Sequence, residues 1–163
     1  MKKIAVLSFA LLFLFGCSSS FVPSAKTVSE AYNSDFSADV TALADDFDAK
    51  IKVSKNGKSI SFVVIYPEDI AGMSIALFDE HALISYEGME QKIKKENLPE
   101  KAVFLLLEDF FEDMSDPEEI VLTAEGDKLL VTSDDFFGEL DKENFSPKEI
   151  TFPQYNAKFL FSA

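Results

Sequence analysis

With 29 acidic and 15 basic side chains, the 163-residue chain has a formal charge of -14, and such a surface repels nucleic-acid backbones, so no nucleic acid is expected as a partner. Every basic residue is a lysine; without the arginine fork that grips phosphate or carboxylate through two hydrogen bonds, a dedicated nucleotide or phosphosubstrate site is not expected. Cys17 is the only cysteine, which excludes an intramolecular disulfide, and the length suits one domain.

The chain opens with MKKIAVLSFALLFLFGCSSS. Lys2 and Lys3 give a charged start, Ile4 to Phe15 an apolar core of about a dozen residues, and Gly16 a small residue before the cysteine. A run this short does not comfortably cross a hydrocarbon core of ~30 Å, which takes about 20 residues, so residues 1–16 read as a signal peptide for export. Leu14-Phe15-Gly16-Cys17 resembles the lipobox of bacterial lipoproteins, with Phe15 bulkier than the usual occupant. The resemblance implies a diacylglyceryl thioether on Cys17 and an acylated amine, palmitate among the acyl groups, and two or more chains anchor a protein stably. An uncleaved anchor and a plain secreted protein are the alternatives. Loss of the leader removes Lys2 and Lys3 and takes the charge from -14 to -16. That acidity keeps an exported protein soluble, or recruits a basic partner.

Residues 17–27 are read as the lipidated cysteine and a tether, and residues 28–163 as the domain. Ala25 to Asn33 spaces Val28, Ala31 and Tyr32 as two turns of helix. From Asp35 the period becomes two: Phe36, Ala38, Val40 and Ala42 alternate with polar residues, and Phe47, Ala49, Ile51 and Val53 repeat the pattern. Asn56-Gly57 joins that second strand to Ser59 to Tyr66 and is a hairpin signal, since both turn residues tolerate positive φ. Pro67 stops the strand; Met73 to Leu77, Leu83 to Glu87 and Met89 to Lys94 continue the meander.

Asn97-Leu98-Pro99-Glu100 predicts the start of a helix running to about Met114, with a capping residue, an early proline and a carboxylate three residues on. Val103, Leu106, Leu107, Phe110, Phe111 and Met114 recur at helical spacing, and Phe104 and Leu105 widen the apolar surface beyond an ordinary stripe. Strands are predicted at Glu119 to Ala124, Lys128 to Ser133, Ser146 to Phe152 and Ala157 to Ser162, with Asp134 to Asn144 an acidic loop or a single helical turn. No repeat or composition shift marks a second domain. The economical reading is an α+β fold with one antiparallel sheet of about nine strands and one or two helices.

The leader, the short helix, Tyr32-Asn33-Ser34-Asp35-Phe36-Ser37-Ala38, the paired long strands, Tyr66-Pro67 leading to Gly72-Met73-Ser74-Ile75, and the apolar mid-sheet helix together resemble the LolA/LolB-like superfamily over about residues 28 to 161. That family comprises periplasmic lipoprotein carriers, their receptor and relatives that bind other lipids. The resemblance implies a strongly curved, unclosed half-barrel whose concave face carries the helices over an apolar cavity for acyl chains. Val103, Leu106, Leu107, Phe110 and Phe111, with Phe62 and Val64 on the facing strand, are the candidate ligand-binding residues of that cavity or its lid. Two departures stand out: the carriers use an arginine to govern the lid and this chain has none, and the receptor's protruding apolar loop finds only Ile70-Ala71-Gly72-Met73 as a candidate. The helix itself reads either as a core helix covering one sheet face or as a plug over a cavity.

Catalytic chemistry is not expected. Gly72-Met73-Ser74-Ile75-Ala76 superficially resembles a nucleophile elbow but precedes a strand where that motif needs a helix, and His81, the one histidine, sits in a turn. The clusters Asp45, Asp46, Asp48 and Asp109, Glu112, Asp113, Asp116 lack the alternating ligands and glycine of a calcium loop. No cofactor and no metal are therefore expected. The sequence points to a non-enzymatic, monomeric envelope lipoprotein held at the cell membrane by its N-terminal lipid, and the LolA/LolB-like resemblance implies that it binds a lipid, acyl chain or lipidated protein; Ser18 permits outer-membrane sorting where an outer membrane exists. The competing reading is a structural or protein-interaction module with a filled core.

Overall fold

A computed structural model describes residues 22–44, 47–99 and 102–162. The leader, Cys17, Asp45-Asp46 and Glu100 lie outside the described residues. Helix α1 (Ala25–Tyr32) is followed by β1 (Phe36–Ala44), β2 (Phe47–Asn56), β3 (Ser59–Tyr66), β4 (Ser74–Leu77), β5 (His81–Tyr86) and β6 (Met89–Lys94). Helix α2 (Val103–Ser115) leads to β7 (Val121–Glu125), β8 (Lys128–Thr132), β9 (Phe137–Leu140), β10 (Pro147–Phe152) and β11 (Ala157–Ser162).

All eleven strands form one sheet in the order β6-β5-β4-β3-β2-β1-β11-β10-β9-β8-β7, and every pair is antiparallel. The first and last strands meet at its centre, Asp39 opposite Ser162 through Ala44 opposite Ala157. From that seam one meander runs outward to β6 and the other to β7. These two edges do not pair, so the sheet is a strongly curved half-barrel, as expected. Helix α2 carries the chain from one edge to the other across the concave face. Its Phe104 ring lies 6.3 Å from Phe62 of β3, while its Phe110 ring lies 5.2 Å from Phe136 and 5.8 Å from Phe161 of β11.

Period-two burial makes that face apolar: Val40 and Ala42, Ala49, Ile51 and Val53, Ile60, Phe62 and Val64, Leu129 and Val131, and Ala157 and Phe159 are all buried. Gly138 lets β9 press against β10, because a Cβ there would fall 2.3 Å from the Glu149 carbonyl oxygen.

Four expectations need correction. The sheet has eleven strands rather than about nine, and part of the stretch expected as loop or helical turn is β9, where Phe136 and Leu140 bury one side. The main helix begins at Val103: Pro99 holds Leu98 extended (φ -85, ψ 150), so Asn97 ends a 3-10 turn over Lys95–Asn97 instead of capping α2. Ala102 occupies the cap position and makes no side-chain cap bond. Finally, Asn56 pairs with Ser59, so the hairpin loop is Gly57-Lys58, and of these only Gly57 has positive φ (59°). That is the pattern of a II′ turn, with glycine first.

Candidate functional site

The two halves of α2 meet the sheet differently. Leu106, Leu107, Phe110, Phe111 and Met114 recur on one face and are fully buried. Around Phe110 the rings of Tyr32, Phe111, Phe136 and Phe161 close within 5.8 Å, with Phe152 and Phe159 behind them. Under this half the space between helix and sheet is filled. Aromatic pairs at edge-on and tilted geometry add to the stability that burial gives.

Under the first turn of α2 it is not. A cavity of about 410 Å³ opens between β1 to β4 and the chain entering the helix. Its floor is the inward row Ala44, Ala49, Ile51, Phe62, Val64 and Ile75. Its lining residues on β1 and β2 include two alanines, Ala44 and Ala49, and alanines leave room where larger side chains would reach the helix. Ile70 and Met73 form one wall. They are turned inward because the Gly72 amide donates to the Val64 carbonyl at 2.8 Å and the Val64 amide to the Met73 carbonyl at 2.9 Å, while the Tyr86 hydroxyl donates to the Asp69 carbonyl at 2.9 Å. The receptor-like loop candidate therefore folds onto the cavity. The roof is Pro99, Ala102, Val103 and Phe104.

All twelve lining residues are apolar. Of the sequence candidates, Phe62, Val64 and Val103 line this cavity, whereas Leu106, Leu107, Phe110 and Phe111 sit in the packed half; Cys17 lies outside the described residues. The lining residues Ala44, Ala49, Ile51, Ile70, Met73, Ile75, Pro99, Ala102 and Phe104 were not singled out by sequence as ligand-binding. The alanines Ala44 and Ala49, in the inward rows of β1 and β2, were the available signal.

Polar groups ring the packed half. Lys95 donates to Glu108 at 2.6 Å, and burial still holds the Glu108 carboxyl above the usual range despite that lysine. Asp109 is pushed up to about 6, first by burial and then by Glu112, Asp113 and Asp135. Lys55 occupies an inward position of β2, donates its ammonium to the Tyr32 carbonyl at the end of α1, and is lowered by burial against the opposing pull of Asp35. The Tyr32 hydroxyl, raised by burial, donates to the Phe145 carbonyl at 2.9 Å.

None of this assembles a nucleophile with a base. Ser74 begins β4 opposite Ser85, while His81 sits at the far end of β5 and stacks on Phe78 at 4.8 Å. Among the described residues no group of three or more His, Cys, Asp or Glu is placed to hold a metal ion, and no helix is long and apolar enough to cross a membrane.

The geometry defines a class: an open antiparallel half-barrel, half packed and half hollow on its concave side. No protein-family model and no curated protein sequence matches the chain. Solved structures do resemble it. An uncharacterized conserved protein from Thermus thermophilus aligns with a TM-score of 0.52 at 10% identity, covering 83% of this chain and 82% of that one. A LolA superfamily protein from Nitrosomonas europaea aligns at 0.42 and 11%, covering 86% and 92%. A chain from the MucA/MucB complex of Pseudomonas aeruginosa aligns at 0.46 and 15%, covering 82% of this chain and 52% of that one. At such identities the first establishes shared fold alone, and the other two carry no argument.

Proposed function

We propose that this protein is a non-enzymatic cell-envelope lipoprotein, anchored through Cys17, that holds an acyl chain of a lipid or lipidated protein in the cavity beneath the start of α2. The observation that carries the reading is a cavity of about 410 Å³ lined by apolar residues alone. Its size falls within the usual ligand range of about 300 to 1,000 Å³. A wall of apolar side chains gives water few partners and favours methylenes, each worth ~0.8 kcal/mol when buried. The lipobox-like leader supports placement at a membrane, where such ligands are found, and the half-barrel is what the LolA/LolB-like resemblance implies.

The test uses a chain starting at Ser18, a fluorescent fatty-acid analogue and two variants. Ala49→Phe fills the cavity floor and should abolish probe binding at a stability cost of about 1 to 3 kcal/mol. Phe110→Ala lies in the packed half; it should cost about 3 to 5 kcal/mol and leave probe affinity nearly unchanged. If the unaltered chain binds no probe and carries no lipid detectable by mass spectrometry, the envelope module with a filled core takes the place of the carrier reading.

A further inference from the structure

The two free edges of the sheet are finished differently. Edge strand β6 sets Glu90, Lys92 and Lys94 along its outward face, and edge lysines are a common guard against pairing with another strand. Edge strand β7 (VLTAE) has no lysine, no proline and no bulge in its register with β8. Val121 stands 65% exposed on it. The β7–β8 loop is the two-residue Gly126-Asp127, so Glu125 and Lys128 form the hydrogen-bonded pair that closes the hairpin. The alternation of an antiparallel ladder then turns the amides and carbonyls of Leu122 and Ala124 away from β8. Among the described residues nothing accepts from or donates to them on that side.

Charge around this edge is one-sided. Glu118 and Glu119 precede β7, and Glu125 and Asp127 follow at its end, all exposed. The lysines nearby are engaged, Lys128 with Glu139 at 2.9 Å and Lys142 with the Gly126 carbonyl at 2.7 Å. On the convex face the register sets Val121 beside Thr132, Thr132 beside Phe137 and Phe137 beside Thr151, an uncharged row running inward from the edge with Phe137 50% exposed.

We propose that β7 is a docking edge for an extended, lysine- or arginine-bearing segment of another protein, which adds to the sheet as a further strand. Main-chain hydrogen bonds to Leu122 and Ala124 supply affinity; on the convex face an apolar side chain of the segment lies beside Val121 and a cation four residues along lies beside Glu125, while flanking cations meet Glu118 and Glu119. A second copy of this chain fits the edge poorly, because at -14 each copy repels the other and brings the same carboxylates to the seam. This inference is independent of the cavity.

The experiment uses the full chain in neutral detergent and a fluorescent peptide that carries valine and lysine four residues apart on one face, with further lysines at its ends. Binding is expected, weakening as salt rises, with amide shifts concentrated at residues 120–125 and not at 89–94. A peptide of the same charge with its alternate amides methylated should bind at least about tenfold more weakly, since it keeps the attraction and loses the ladder, and so should the Val121→Lys variant. Equal binding of the methylated peptide would reduce the effect to plain charge attraction and overturn the proposal. So would Leu122 and Ala124 amides already slow to exchange without peptide, which would mean that the chain covers its own edge, or a concentration-dependent dimer in sedimentation.

Discussion

Ser29 is 1% exposed on α1, and among the described residues its buried hydroxyl has no hydrogen-bond partner. An unmet buried polar group costs about 1 to 3 kcal/mol. Ser29→Ala removes that cost and improves helix propensity, so the melting temperature should rise by about 2 to 4 °C; a fall would mean that the hydroxyl is satisfied after all. Asp109 gives a prediction of opposite flavour. Folding raises its pKa from the ordinary 3.8 to about 6, so between those values the native state keeps a proton that the unfolded chain has released. Its contribution is present below the lower value and is lost as pH rises through the upper one. Asp109→Asn should abolish that loss, with melts at pH 4 and pH 7 differing less than in the parent. Residues of this kind were the least legible in the sequence. Lys55 stands in the inward row of β2, and nothing in its neighbours announced that its ammonium would find the Tyr32 carbonyl, 23 residues away in sequence.

Elements were far easier to read. The pairing of β2 with β3, and the positions of β6 and α1, follow from period and local signals because each closes on residues a few positions away, although the β2–β3 turn is Gly57-Lys58 and not Asn56-Gly57. Where reading failed, a local signal was overridden. Asn97 and Pro99 looked like a helix start until the proline's effect on Leu98 is counted, and β9 is four residues long in an acidic stretch. The hollow was illegible for a related reason: Val103 and Phe110 obey one helical period, yet one roofs a void and the other fills a core, and only the opposite strand decides which. At the β2–β3 turn, Gly57 has φ 59° and nothing lies within 4 Å of where a Cβ would stand. Gly57→Val should therefore cost about 1 to 3 kcal/mol through backbone conformation alone, measurable by denaturant unfolding. An unchanged midpoint would mean that the turn relaxes at no cost.

For the whole molecule, charge and attachment act together. A domain this acidic has no electrostatic pull toward an anionic bilayer, and no helix among the described residues is long and apolar enough to span one, so the anchoring proposed above would rest on Cys17. Cys17→Ser should move the protein to the soluble fraction or leave an unprocessed precursor. A variant that is processed and still tightly membrane-bound would sink the anchoring proposal.

The central seam between β1 and β11 sets the order in which this chain can fold. Ser162 donates to the Asp39 carbonyl across a separation of 123 residues, whereas hairpin neighbours elsewhere in the sheet close loops of a few. Loop-closure entropy makes the short pairings fast and the seam slow. While the chain is being made, β1 has finished one side of its ladder long before its other partner exists. For that interval it is a temporary edge, open to mispairing. A protein that crosses a membrane unfolded would postpone this vulnerable state until after transit, when both central strands arrive in the same compartment and can find each other.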